Sequence, residues 1–212
     1  IPELIDLIDL SGSVVSIDAI GCQTQIVDKI LEAEADYLLA LKSNQGNLYD
    51  LVNDEFIWSL ADSYDETWEY DHGRFEKRTC YILDAATYMS AQELEKWKQI
   101  KTFVKVEAER TLKGKISRES RYYISSEQKE PSYYNDAVRG HWSIENHLHW
   151  HLDVTFNEDQ CRSRTGNAPQ NLNILRKMAL QKIAQMKDKI SLKKRRFRAS
   201  MNMDYLIKVL GF

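Results

Sequence analysis

The sequence predicts an α/β fold with a mainly antiparallel excursion and a helical C-terminal part, and three observations carry that expectation. Residues 13–20 (SVVSIDAI) and 36–42 (DYLLALK) are short apolar runs, and 23–34 (QTQIVDKILEAE) between them repeats its apolar side chains at helical spacing. Strand, helix and strand within about thirty residues form a βαβ unit, whose two strands run parallel. Residues 66–84 and 100–125 then alternate apolar and polar side chains, as in FEKRTCYIL and FVKVEAERT. Beyond residue 131 the period returns to that of helices.

The first strand ends near Asp18, and Gly21 breaks it. In the following helix Ile26, Ile30 and Leu31 share one face. The second strand leads into a turn, SNQGN. Residues 47–63 read as a helix with Leu48, Leu51, Val52, Phe56 and Leu60 as its apolar stripe. SAQELEKWK (90–98) reads as a short helix capped by Ser90, and LKGK (112–115) as a hairpin turn. Residues 133–152 and 168–187 follow as helices, KKRRFR (193–198) as a basic linker, and DYLIKVL (204–210) as a last helix. The expected organisation is a core sheet in 1–65, an inserted β region in 66–130, two helices in 131–190, and the linker and final helix in 191–212.

Hydrophobic residues make up 43% and charged residues 29% of 212, enough for a sizeable core and against wholesale disorder. No apolar run approaches the roughly 20 residues of a membrane span. The opening IPELIDLIDL carries acids where a signal peptide is basic, and it lacks an initiator Met, which points to a piece of a longer protein. Cys22, Cys80 and Cys161 are odd in number and unpaired in spacing, as expected of a reduced, cytoplasmic setting. The net charge of −3 hides an asymmetry: residues 162–212 hold 13 Lys and Arg against Asp188 and Asp204, or +11, and the rest holds 16 basic and 30 acidic residues, or −14. A basic end on an acidic body suits a polyanion such as DNA, although a solvated basic helix with a flexible tail has the same composition.

Asp18 closes a predicted core strand, at the sheet edge where open α/β folds bind ligands. Burying its charge needs a compensator such as a metal ion; the alternative is an exposed aspartate capping a turn. The densest constellation is RGHWSIENHLHWHLDVTFNEDQCRSR, 139–164. On a helix, His141, Glu145, His149 and Asp153 recur every four residues along one face, with Trp142, Leu148 and Leu152 left to pack inward. His147 and His151 form a second pair at the spacing of helical zinc sites, unless these are surface histidines beside core tryptophans.

HWSIENHLHWHLDVTFNED, together with SIDAIGCQ, ALKSNQ, HGRFEKR and NAPQNLNILRKMAL, resembles the DDE transposases of bacterial insertion sequences, in the ISAs-type group that includes the H-repeat-associated proteins. The resemblance runs in order over 13–210. It implies a ribonuclease H-like catalytic core, here truncated at its N-terminal strands, with an inserted β region, and an Asp, Asp, Glu site for two Mg²⁺ or Mn²⁺ ions. It places the second catalytic Asp at Asp18 and the catalytic Glu at Glu145, both as metal ligands. The first Asp belongs to an opening strand in an Asp-Gly-Lys context, and nothing of that kind precedes Ser13; Asp6 and Asp9 are poor substitutes. Broader relatives flank the Glu with Tyr, Arg and Lys, where this chain has Val138, His141 and Leu152, so His141 is the stand-in for the Arg.

The resemblance implies DNA strand cleavage and strand transfer at insertion-sequence ends, by a homodimer in the synaptic complex and in the bacterial nucleoid. A chain without the first Asp is expected to be inactive alone. Candidate DNA contacts are His72, Arg74 and Arg78, alternating along one strand face with Glu76; Lys42, Asn44 and Gln45 at the edge of Asp18; His141; and Arg162, Arg164, Lys193, Lys194, Arg195 and Arg196 as backbone contacts. Lys42, Asn44 and Gln45 could touch DNA or orient a carboxylate, and for the two amides ordinary turn chemistry is the alternative. Two other readings stand beside the enzyme: a non-catalytic DNA-binding remnant, separable by the upstream coding sequence, and a zinc-dependent hydrolase using His147 and His151, separable by metal analysis.

Overall fold

The computed structural model describes residues 1–71, 73–112 and 114–211, with Asp71, Glu145 and Asn146 described by their backbone alone. The chain divides into two compact units, Ile1–His141 and Trp142–Phe212, and each is described by itself.

The first unit begins with a single helical turn, α1 (Pro2–Ile5), before β1 (Val14–Ile17), α2 (Thr24–Glu32) and β2 (Asp36–Leu41). β1 and β2 are parallel, in register from Val14 opposite Asp36 to Ile17 opposite Leu39, which is the expected βαβ unit. β2 is buried from Tyr37 to Leu41, as a strand covered on both faces must be. α3 (Gly46–Trp58) follows. It stops five residues short of the expected end: Ser59 already has extended backbone, Asp62 N–H donates to the Ile82 carbonyl, and Leu60 is 93% exposed instead of joining the stripe.

β3 (Ser63–Asp71) and β4 (Arg74–Asp84) form an antiparallel pair. Two short helices, α4 (Ala85–Tyr88) and α5 (Ala91–Lys96), lead to β5 (Thr102–Leu112) and β6 (Lys115–Ser125). Ser90 caps α5 through a reciprocal pair of bonds with Glu93, as its sequence promised. These antiparallel strands extend the same sheet. β6 returns to pair with β2, Leu38 opposite Ser125 and Leu41 opposite Tyr122, giving one six-stranded sheet in the order β1-β2-β6-β5-β4-β3.

One sheet face carries the main core. Ile26, Val27 and Ile30 of α2, Leu48 and Val52 of α3, and Trp97 are buried there with Tyr37, Leu39, Leu41, Phe103, Tyr122 and Ile124. At about 25 cal/mol per Å² of apolar surface, each such side chain contributes on the order of 2 kcal/mol. α6 (Pro131–Ile144) serves the opposite face: Asn135 donates to Asp65 at 2.9 Å and to Thr67 at 3.3 Å, and Arg139 pairs with Glu69.

In the second unit the expected helix does not continue as an α-helix. It passes into two π-helical stretches, Glu145–His149 and His151–Thr155, whose wider i→i+5 register breaks the four-residue spacing of His149 and Asp153. α7 (Ala168–Ala184), α8 (Leu192–Met201) and α9 (Met203–Leu210) complete the unit around Ile183, Ala199, Tyr205 and Val209. The expected basic linker is therefore a helix, α8. Ser191 caps it by accepting from the Lys194 N–H, Lys and Arg are good helix formers, and Ala199 is buried. Among the described residues no helix is long and apolar enough to cross a membrane.

Candidate active site

Asp18 follows β1 directly and opens a 3₁₀ turn, Ala19–Gly21. Only glycine closes this turn without displacement, because a Cβ at Gly21 would lie 2.4 Å from Ile17 Cγ2. The loop after β2 braces the turn with three nearly consecutive side chains. Lys42 Nζ lies 3.3 Å from Asp18 Oδ1, Asn44 Nδ2 donates to the Ala19 carbonyl at 2.8 Å, and Gln45 Nε2 donates to the Cys22 carbonyl at 2.8 Å. Gln23 Nε2 adds a bond to the Ile20 carbonyl at 2.9 Å. The turn is thus held by its own backbone and by a neighbouring strand's loop, before any ligand arrives.

Partial burial pushes the Asp18 carboxyl up, but the Ala19 N–H, Lys42 and the nearby His141 outweigh it and hold the group below its ordinary range. The carboxylate is ionised at neutral pH, and its side chain is 45% exposed. His141, on α6, hydrogen-bonds through Nδ1 with Ser16 Oγ at 3.1 Å, two residues before Asp18. His141 and Asp18 are therefore neighbours within the first unit. The thiol of Cys22, beside the turn, is fully buried and pushed up to about 12, so it is no nucleophile at neutral pH. Asp6 is taken by Lys29 at 2.9 Å.

On β4, Arg74 and Arg78 face the same side, as their spacing predicted, but their common partner is Glu76. That carboxylate is 3% exposed, with Arg74 at 3.2 Å, Arg78 at 2.6 Å and Arg110 of β5 at 3.5 Å. Three guanidinium groups around one carboxylate leave a local surplus of positive charge. Arg110 had no sequence signal of its own; the β4–β5 register, Glu76 opposite Arg110, supplies it. His72 lies outside the described residues.

A family model, the transposase DDE domain, matches residues 1–181. The chain belongs to the DDE transposase family. Three curated relatives match along all of it: the putative transposase YncI of Escherichia coli O157:H7 at 38% identity, the putative protein YbfL of Escherichia coli K12 at 35%, and the H repeat-associated putative transposase YhhI of the same strain at 34%. The match covers 56% of the first and 58% of each of the others, so the chain spans somewhat over half of their length.

In the second unit, the side chain of Glu145 lies outside the described residues. Later in this unit His151 Nδ1 bonds Thr155 Oγ1 at 3.2 Å, and burial together with His147 holds the ring below its ordinary range. Burial and then Asp159 raise Asp153. Among the described residues no group of three or more His, Cys, Asp or Glu could hold a metal ion, so a ready zinc site at His147 and His151 is not among them. The donor chemistry at Asp18, an ionised and accessible carboxylate, fits a hard divalent cation such as Mg²⁺.

The basic residues of this unit fall into two kinds. Arg162, Arg164, Lys193 and Lys194 are exposed. Arg195, by contrast, pairs with Asp188 at 2.5 Å and donates to the carbonyls of Ile183 at 3.2 Å and Ala184 at 3.4 Å, closing the end of α7. Arg196 donates to the Thr155 carbonyl and lies over the Phe156 ring at 5.1 Å. Both guanidinium groups serve the fold, a role that charge counting does not reveal.

Proposed function

We propose that this chain carries the part of a DDE transposase that holds the second catalytic Asp, Asp18, and the catalytic Glu, Glu145, for metal-dependent DNA strand cleavage and strand transfer at insertion-sequence ends. The observation that carries the reading is the braced, ionised carboxylate of Asp18 at the end of a parallel core strand, in a member of this family. Asp18 and Glu145 would hold Mg²⁺ or Mn²⁺, two ions in the complete enzyme. Such a pair supplies an activated water or 3′-hydroxyl for in-line attack and stabilises the leaving oxyanion.

The chain's own residues prepare that chemistry. Asn44 and Gln45 fix the turn that aims Asp18. Lys42 offsets the charge of Asp18 and would be able to turn to a phosphate where a cation shared that carboxylate. His141 stands beside Asp18 as a candidate phosphate contact. Arg74 and Arg78 offer the surplus charge left by Glu76, and His72 is proposed as a further DNA contact from its sequence alone. Arg162, Arg164, Lys193 and Lys194 would meet the DNA backbone without reading sequence. In the family's ribonuclease H-like arrangement, the strand with the first Asp would pair with β1, whose outer edge is open among the described residues. A dimer in the synaptic complex completes the reading.

The test compares this chain with the same chain extended by its upstream coding sequence, both with Mg²⁺ and an insertion-sequence end. The extended protein should cleave, and the 212-residue chain should show little or no cleavage, because losing one metal ligand costs orders of magnitude in rate. Asp18→Asn or Glu145→Gln in the extended protein should abolish cleavage and keep DNA binding. Full cleavage by either variant would sink the assignment.

A further inference from the structure

The three arginines around Glu76 do not share it equally. Arg78 takes Oε1, its Nε donating at 2.8 Å and its Nη2 lying at 2.6 Å. Oε2 is left to two guanidinium groups, Arg74 at 3.2 Å and Arg110 at 3.5 Å, and Arg110 Nε finds no hydrogen-bond partner among the described residues. The side chains of Arg74 and Arg110 are 51% and 43% exposed, against 21% for Arg78. A guanidinium carries five N–H donors, so most of those on Arg74 and Arg110 are left uncommitted by a single shared oxygen.

Two cations drawn to one oxygen repel each other, and the neighbouring acids are spent. Glu69, opposite Glu76 in register, pairs with Arg139, and Glu119 pairs with Arg121 at 2.8 Å. On the opposite face of the same strands each cation has an acid of its own: Lys77 with Glu66, Lys105 with Glu107 and Arg118 with Glu109. The surplus is therefore confined to one face, and an anion held between the two guanidinium groups relieves it. Phosphate oxygens match such planar forks. Strand register puts Ser16 on this same face, where it holds His141 beside Asp18. Arg110 stands three strands over from β1 and six residues further along than Asp18, on the order of 25 Å away on strand spacings. A straight duplex covers that in about seven base pairs.

We propose that Arg74 and Arg110 together clamp one backbone phosphate of the DNA, away from the phosphate that reacts at Asp18. Glu76 is the post that holds both guanidinium groups, and Arg78 is the strut that holds Glu76. The clamp rests on the transposase reading and changes one of its contacts: Arg110, which only strand register reveals, takes the place of Arg78 as the partner of Arg74. Because it grips DNA without touching the reacting phosphate, it can fail while that reading stands.

The test is a salt titration of binding to a fluorescein-labelled duplex by the 212-residue chain, by Arg74→Gln, by Arg110→Gln and by the double variant. Each single substitution should weaken binding several-fold and lower the log–log salt slope by up to about 0.9. The double variant should also stop near about 0.9, because one phosphate is shared. Arg110→Lys keeps the charge and loses the fork, so it should restore the slope and only part of the affinity. Without DNA, the thermal midpoint of Arg110→Gln should be unmoved or raised, since a repulsion is removed. A lowered midpoint with unchanged binding would make Arg110 a structural partner of Glu76 and overturn the clamp. A fall of about 1.8 in the double variant would mean two separate phosphates and overturn the sharing. Slopes unchanged in both single variants would overturn the clamp and spare the transposase reading, whose own test is cleavage lost in Asp18→Asn. No duplex binding by the unsubstituted chain would overturn both.

Discussion

Two carboxylates of the first unit, Asp18 after β1 and Glu76 within β4, are held in opposite ways. Glu76 is buried and ringed by charge: three arginines surround its carboxylate. Asp18 is half exposed and undersupplied, with one lysine at 3.3 Å and one backbone N–H. Its order comes instead from amide side chains that grip the backbone around it. Glu76 is fixed through its oxygens, whereas the turn that carries Asp18 is fixed through its main chain, which leaves the Asp18 oxygens more accessible. Arginine count alone would have ranked the two sites the wrong way round.

Replacing Glu76 should have the largest effect on stability. Glu76→Gln leaves three guanidinium groups facing one another, and removal of a buried partner costs about 3 kcal/mol, the low end because Arg74 and Arg110 are partly exposed. Urea denaturation at neutral pH measures it; a loss below about 1 kcal/mol would make the cluster ornamental. The same group predicts an acid limb. Burial raises Glu76, but Arg78, Arg110 and Arg74 bring it below its ordinary 4.5. Its stabilisation is therefore present above the unfolded value and lost as pH falls through the folded one. Wild-type protein should weaken below about pH 4.5, and Glu76→Gln should flatten that limb.

Next in size are the bracing amides. Asn44→Ala and Gln45→Ala each remove one side-chain-to-carbonyl bond and should cost about 1 kcal/mol apiece. If they also aim Asp18, Mn²⁺ binding followed by water proton relaxation should weaken in both; unchanged Mn²⁺ affinity would reduce them to turn chemistry. The smallest effect belongs to Asp18 itself. An exposed pair contributes about 0 to 1 kcal/mol, so Asp18→Asn should leave the denaturation midpoint nearly unmoved while removing Mn²⁺ binding. A large loss of stability would place Asp18 with Glu76, as a structural acid.

How much of this could be read from the sequence follows from the range of the interactions. The βαβ unit, the Ser90 cap and the antiparallel strands are written in local periodicity and were legible. Asp18 was legible because a polar residue interrupts an apolar strand. The brace is only half legible: Lys42, Asn44 and Gln45 stand out after the second strand, yet their bonds reach residues more than twenty positions away. Arg110 was invisible, since its partner is set by strand register. The basic helix reads as a linker in the sequence because Lys and Arg signal charge more loudly than helix propensity, and Arg195 hides its role behind that charge. The π-helical stretches have no simple residue signature, and the α-helical spacing of the histidines pointed the wrong way.

The return of β6 to β2 has a consequence for synthesis. Leu41 emerges from the ribosome long before its register partner Tyr122, with about 80 residues between them. At roughly 5–20 residues per second, one edge of the most buried strand in the first unit waits some 4 to 16 s for its neighbour. During that interval the nascent chain presents an unpaired apolar strand, Asp36–Leu41, to every other chain nearby. The late arrival of β6 makes this the stage at which the protein is most exposed to misassembly, and holding DYLLAL apart from its copies is a task for chaperones rather than for the finished fold.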